Sequence, residues 1–328
     1  MFYLKYRPQT VEEIDNSHVR DTIKHLLATA HIPHAMLFVG HKGTGKTSVA
    51  RIVAKHLNGL TSISDSSDVV EMDAASNRGI DEIKSLIKEA SFLPMTGKYR
   101  VFIIDEAHMI TNEAFNALLK TLEEPPSSAV FILATTNVEK LPKTIVSRTQ
   151  IVNFGRAKRE DILHMLKRIR DKEGITAEDN VLNLVIEHAD FSFRDAAKIL
   201  EELTIQNKLT LTEAEEFLGV SGKTGFIKIL EKNDLKGSLT WIESFIQEGG
   251  NVKHLLETQL EVLRLLLLTK SGVKTDEPIE STLTIKDVST LIRLLSEAYN
   301  LLKISPIESL PLEIAVADFY NSKKNVTN

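Results

Sequence analysis

Apolar positions along the chain follow two alternating rhythms. Short uninterrupted runs at Ala35–Val39, Val69–Asp73, Tyr99–Ile104, Ala129–Ala134 and Ile151–Phe154 are bounded by charge or turn residues, as strands buried on both faces are. Between them lie stretches with apolar residues three and four apart. Val19, Ile23, Leu26, Leu27 and Ala30 form one helical face behind Ser17, a residue type that caps helices. Ser48–Leu57, Ile80–Ala90 and Glu113–Glu124 continue the series. Pro94 and Gly97 break the second of these, and Pro125-Pro126 stops the third, whose Phe115, Leu118, Leu119 and Leu122 are core positions. Residues 1–16 read as an extended arm, because Arg7-Pro8 disfavours helix before the proline. Strand and helix in alternation predict an α/β fold with a parallel, doubly wound sheet, whose ligands sit at the strand C-termini.

After Phe154 the strand rhythm stops. Arg156–Arg170 carries Ile162, Leu163, Leu166 and Ile169 on one face and bases on the other, and Val181–Ala189 and Arg194–Leu203 complete a small helical lid. Thr212-Glu213-Ala214-Glu215 reads as a capping box. From about residue 222 the pattern is all helical: Leu235–Gln247 with Trp241, a Gly249-Gly250 stop, His254–Leu268, Val288–Leu302 and Leu312–Tyr320. Leu265–Leu268 is apolar all round, which predicts burial between helices or against another subunit. The expected domains are 1–155, the α/β part; 156–221, a small helical part; and 222–328, an all-helical part.

A chain of 328 residues with 42% hydrophobic and 26% charged residues has the composition of a globular protein of two or three domains. A formal net charge of −5 confines any nucleic-acid surface to a local patch. The absence of cysteine excludes disulfides and thiolate metal sites. The start, Met1–Pro8, lacks the apolar core of a signal peptide, and no run approaches the roughly 20 apolar residues of a membrane span. A cytoplasmic protein with no membrane partner is expected.

Chemistry enters at Gly40-His41-Lys42-Gly43-Thr44-Gly45-Lys46-Thr47, with Ser48 following in the helix. The spacing G-x-x-x-x-G-K-T between a strand and a helix exposes successive backbone N–H groups to phosphate oxygens. Lys46 would neutralise β- and γ-phosphate charge and the Thr47 hydroxyl would ligate Mg²⁺. The strand Tyr99–Ile104 delivers Asp105 and Glu106, the first to hold Mg²⁺ through water, the second to activate the attacking water as general base. The strand Ala129–Ala134 delivers Thr135-Thr136-Asn137, where a polar side chain can sense the γ-phosphate. Each piece alone has a plainer reading: a glycine turn, acids capping a helix, a polar strand-to-turn cluster. Their order along one chain favours a nucleotide-hydrolysing site.

Tyr6-Arg7-Pro8, the Gly40–Thr47 loop, Asp73-Ala74-Ala75-Ser76-Asn77, Ile103–His108, the run Ala117–Pro126, Phe131–Thr136 and Ser147-Arg148, in that order, resemble the AAA+ clamp-loader ATPases, in particular the gamma/tau family of bacterial DNA polymerase III. The match runs over about residues 4–200; beyond them, helical character and Leu310-Pro311-Leu312-Glu313 resemble the family's collar. The resemblance implies ATP-driven loading of a sliding clamp onto primed DNA, in a pentamer with copies of itself and delta- and delta-prime-type subunits. It also implies that Tyr6, Arg7 and Pro8 join the nucleotide site and that Thr136 is the first sensor. Arg148 would be an arginine finger reaching a neighbouring subunit's ATP, and Arg194 a second sensor on the lid.

Three departures from that pattern stand out. Asn58–Asp68 is a short link in place of the family's four zinc cysteines, so no zinc is expected. Ser147-Arg148-Thr149 replaces Ser-Arg-Cys, and Asp190-Phe191-Ser192-Phe193 stands where a glycine-rich turn is usual, so this region is expected to pack in its own way. The chain stops at Asn328, the pattern of the short, gamma-like form. Lys98, Arg100, Asn77-Arg78 and Thr111-Asn112 are candidate DNA-phosphate contacts. The competing functions are a non-hydrolysing scaffold subunit of the delta-prime type and another AAA+ DNA-remodelling motor; the intact Lys46, Thr47, Asp105 and Glu106 speak against the first.

Overall fold

A computed structural model describes every residue except 30–31, 63–65, 219–224, 233, 248–249, 274–280 and 325–328. The chain divides into two compact units, Met1–Leu211 and Thr212–Asn328. The expected lid–collar boundary at 221–222 lies outside the described residues, as does Gly249 of the expected glycine stop.

The first unit runs α1 (Phe2–Lys5), α2 (Ser17–Ala28), β1 (Ala35–Gly40), α3 (Lys46–Asn58), β2 (Val69–Asp73), α4 (Ile80–Ala90), β3 (Arg100–Asp105), α5 (Asn112–Glu123), β4 (Ala129–Thr135), α6 (Lys143–Val146), β5 (Gln150–Gly155), α7 (Arg159–Glu173), α8 (Asp179–His188) and α9 (Phe193–Ile205). All strand pairs are parallel, in the order β2-β3-β4-β1-β5. Side chains alternate across this sheet. Met36, Phe38, Ile103 and Ile132 face a core shared with α2 and α3. Leu37, Phe102, Ile104, Phe131 and Leu133 face a core shared with α4 and α5, where the Phe102 and Phe131 rings stack at 5.2 Å. The central strands β1, β3 and β4 are buried on both faces, which is why they read as continuous apolar runs rather than alternating ones.

Register places the site. Asp73 pairs with Asp105 and Val39 with Thr135, so β1, β2, β3 and β4 end level at one edge of the sheet. In this unit three expectations need correction. The N-terminal arm is not wholly extended, because Phe2–Lys5 closes a helical turn ahead of Arg7-Pro8. The cap of α2 is Asn16, whose side chain accepts from the Val19 N–H, and Ser17 is the first helical residue. In α7 the buried face is Ile162, Met165, Leu166 and Ile169, with Leu163 only partly covered.

In the second unit, α11 (Gly225–Lys232), α12 (Leu235–Gln247), α13 (Val252–Lys270), α14 (Ile285–Leu301) and α15 (Leu310–Lys324) share one apolar core. Trp241 stacks on Phe245 at 5.3 Å. A further helix, α10 (Leu211–Phe217), begins at the division, so Thr212 lies inside it rather than capping it. Of Leu265–Leu268 only Leu266 is fully buried; the others are half-buried. Thr284 and Asp287 form a reciprocal capping box at the start of α14.

Candidate nucleotide site

β1 stops at Gly40 and α3 starts at Lys46, and the loop between them turns through two left-handed glycines, Gly43 (φ 74°) and Gly45 (φ 95°). Such angles cost other residues about 1–2 kcal/mol. Thr44 braces the loop by donating to the His41 carbonyl at 2.8 Å. Lys46 is 6% exposed, and its Nζ donates to the Gly40 and His41 carbonyls, both at 2.8 Å. Burial lowers its pKa, and the carboxylates of Glu106 and Asp105 oppose that shift. Gly40 and His41 thus serve through their carbonyls, and the cavity wall proper begins at Lys42.

That cavity measures about 500 Å³. Its polar lining includes the loop from Lys42 to Ser48, Asp105, Glu106 and Arg194. Its apolar lining includes Phe2, Tyr6, Pro8, Ile14, Met165 and Ile169. A lining of both kinds suits a triphosphate with a flat base, charge against the loop and ring against carbon. The arm is tied to both sides. The Arg7 Nε donates to Ser48 Oγ at 2.8 Å, and the Tyr6 hydroxyl donates to Glu173 at the end of α7 at 2.6 Å. Burial draws the Arg7 pKa down, with Arg51 adding to that effect.

The Thr47 hydroxyl donates to Asp105 Oδ2 at 2.5 Å. A hydroxyl and a carboxylate converging beside the phosphate loop are oxygen donors of the kind Mg²⁺ takes. Glu106 next to them adopts a left-handed backbone (φ 48°), the kind of local strain that gathers at functional sites. Its Oε2 accepts from the Thr136 hydroxyl at 3.3 Å.

Lid and loop meet directly. Phe193 N–H donates to the Gly43 carbonyl at 3.1 Å, and Ser192 caps α9 by accepting from Asp195 N–H. The turn that lacks glycine still takes the left-handed form, at Asp190 (φ 48°) and Phe191 (φ 57°). Arg156 holds it, bonding Asp190 at 2.7 Å and lying 4.3 Å over the Phe191 ring.

Arg148 does not line the cavity. It pairs with Glu123 and donates to the Thr144 carbonyl, and Thr149 bonds the Val146 carbonyl at 3.1 Å to close α6. Among the candidate DNA contacts, Arg100 is committed to Glu89 at 3.1 Å, and the Thr111 side chain caps α5. Sequence reasoning missed Arg51, Asp73, Asp15 and Met165 in the wall. Arg51 follows Thr47 by four positions, one helical turn, so that spacing could have placed it. Asp15 and Met165 carry no such signal, since only the packing of α7 against the arm brings them in.

A family model described as "DNA polymerase III, delta subunit" matches residues 15–158. Among curated proteins, the chain is 36% identical over 296 residues to the tau subunit of DNA polymerase III from Bacillus subtilis (strain 168), covering 82% of this chain and 52% of that protein. It is 34% identical over 292 residues to the gamma subunit from Buchnera aphidicola subsp. Schizaphis graminum, covering 82% of this chain and 80% of that protein. The chain belongs to the gamma/tau family of DNA polymerase III subunits. This gamma/tau-family chain spans about half the length of the Bacillus relative. Among solved structures it is similar to the RuvB Holliday junction branch migration motor of Thermotoga maritima, with a TM-score of 0.53 at 18% identity, over 69% of this chain and 78% of that one. At that identity the likeness speaks for the AAA+ fold alone. Among the described residues no helix is long and apolar enough to cross a membrane.

Proposed function

We propose that this chain is an ATP-hydrolysing subunit of the replicative clamp loader, using ATP to open a sliding clamp and load it onto primed DNA. The observation that carries the reading is that Lys46, Thr47, Asp105, Glu106 and Arg194 line one cavity together with apolar residues of the arm and α7. Residues 1–155 would bind nucleotide, 156–221 would form the lid, and 222–328 the collar that joins delta-type, delta-prime-type and further copies of this subunit in a cytoplasmic pentamer.

The loop N–H groups from Gly43 to Ser48 and the start of α3 bind the phosphates, and Lys46 swings from its two carbonyls to the β- and γ-oxygens. Thr47 and Asp105 would hold Mg²⁺, which when bound supplies positive charge to the same oxygens. Glu106 takes the proton of the attacking water, with Thr136 orienting it. Arg194 closes the lid over the γ-phosphate in the same subunit. Arg148 stabilises the transferring phosphoryl in a neighbouring subunit, an effect on the order of 10³ or more in rate. Its place outside its own cavity supports that role in trans.

The test is steady-state ATP hydrolysis by the chain mixed with candidate partner subunits, with and without clamp and primed DNA. Turnover stimulated by clamp and primed DNA together, and abolished by Lys46→Ala and by Arg148→Ala, is expected. Turnover indifferent to the clamp would mean another AAA+ motor, and ATP binding without turnover would mean a scaffold subunit.

A further inference from the structure

The residue after the two site acids but one, His108, does not itself line the cavity. β3 ends at Asp105, Glu106 turns left-handed, and a three-residue 3-10 turn, Ala107–Met109, carries the chain back. The His108 ring is thereby mostly buried beside Glu106, with Nδ1 3.4 Å from Glu106 Oε2 and 3.1 Å from Thr135 Oγ1. Thr135, the last residue of β4, is fully buried. Its hydroxyl donates to the Asn137 carbonyl at 3.2 Å and accepts from the Asn137 N–H at 3.0 Å. With its single proton spent on that carbonyl, Thr135 Oγ1 offers His108 a lone pair, so Nδ1 must carry the ring hydrogen.

The geometry points to His108 as a positioning residue for Glu106, a role that rests on the ATPase reading above. With Nδ1–H held by Thr135, the ring stands fixed 3.4 Å from Oε2, the same carboxylate oxygen that accepts from the Thr136 hydroxyl. A fixed ring against Oε2 and a hydroxyl donor on it restrict the carboxylate and leave Oε1 as the base. Both anchors come from the end of β4, which joins the general base to the strand that senses the γ-phosphate. A general base displaced by about 1 Å loses on the order of 10²-fold in rate while ground-state binding is untouched.

The experiment uses the full chain with its partner subunits, clamp and primed DNA, comparing His108→Ala, His108→Asn and Thr135→Val. Asparagine keeps an N–H near the position of Nδ1; alanine does not. His108→Ala is expected to lower kcat about 10- to 100-fold with the KM for ATP and the Kd of a fluorescent ATP analogue unchanged. His108→Asn recovers most of the loss, and Thr135→Val reproduces part of it. On a Glu106→Gln background, His108→Ala adds nothing, because it acts through the missing carboxylate. A kcat within twofold of wild type for His108→Ala, a parallel loss of nucleotide binding, or a further loss on the Glu106→Gln background overturns the role. Should His108→Ala not fold, the Asn and Val variants decide it by the same kcat and Kd criteria. If the wild-type chain turns over no ATP, the ATPase reading falls and this role with it; turnover indifferent to His108 refutes this role alone.

Discussion

Asp68→Asn tests how the link between α3 and β2 holds the sheet edge. Asp68 is fully buried at the start of β2 and accepts from the backbone N–H groups of Met95 at 2.6 Å, Thr96 at 2.7 Å and Gly97 at 2.7 Å, and from the Thr96 hydroxyl at 3.0 Å. Burial opposes its charge, but the three N–H donors outweigh it and hold the carboxyl at about 2 against an ordinary 3.8. Each pH unit of that difference is worth about 1.36 kcal/mol, so the ionised form contributes roughly 2–2.5 kcal/mol. Asparagine keeps the shape, loses the charge and turns an amide donor toward donors, so a loss of about 2–3 kcal/mol is expected at pH 7. The assay is urea unfolding followed by far-UV circular dichroism, with the single tryptophan, Trp241, reporting on the second unit separately. Because the folded pKa is depressed, the contribution is complete above about pH 4 and is lost as pH falls toward 2. The wild-type advantage should therefore shrink between pH 4 and pH 3. A difference below about 0.5 kcal/mol at pH 7, or one that ignores pH, would refute the reasoning.

Asp15 acts in the opposite sense: burial, only partly offset by Arg168, pushes its carboxyl up to about 6. The fold thus favours the neutral form, stability falls as pH rises from 4 through 6 by up to about 3 kcal/mol, and Asp15→Asn should flatten that stretch of a stability–pH curve. Gly43→Ala forces a Cβ onto the Ser192 side chain at φ 74°. It should weaken fluorescent-ATP binding about tenfold or more, since a strain of about 1–2 kcal/mol falls on the bound loop; a Kd within twofold of wild type would contradict this. Arg156→Ala removes the Asp190 bond and the ring contact that steady the left-handed turn. A loss of about 0.5–1 kcal/mol in urea unfolding is expected, with Arg156→Lys recovering less than half.

Much of the candidate site was legible because it is local. A G-x-x-x-x-G-K-T loop needs only its own glycines and the helix that follows to make its cradle, and an apolar strand carries Asp105 to the sheet edge whatever else the fold does. Ile80–Ala90 and Leu235–Gln247 were read to the residue because their apolar spacing and their flanking breakers agree. Caps were less legible: Asn16 and Ser17 are both good capping residues, and what selects Asn16 is the bond its amide donates to the Phe154 carbonyl on β5. The left-handed Asp190-Phe191 turn was hidden for the same reason, since its glycine-like angles are held by an arginine more than thirty residues earlier. The sequence by itself determined the strand–loop–helix core and the acids at its edge, where each group is placed by its own segment. Only the tertiary structure decided that the arm and α7 line the cavity, that Arg148 stands outside it, and that Thr135 on β4 holds the His108 ring beside Glu106, because those relations depend on contacts between segments far apart in the chain.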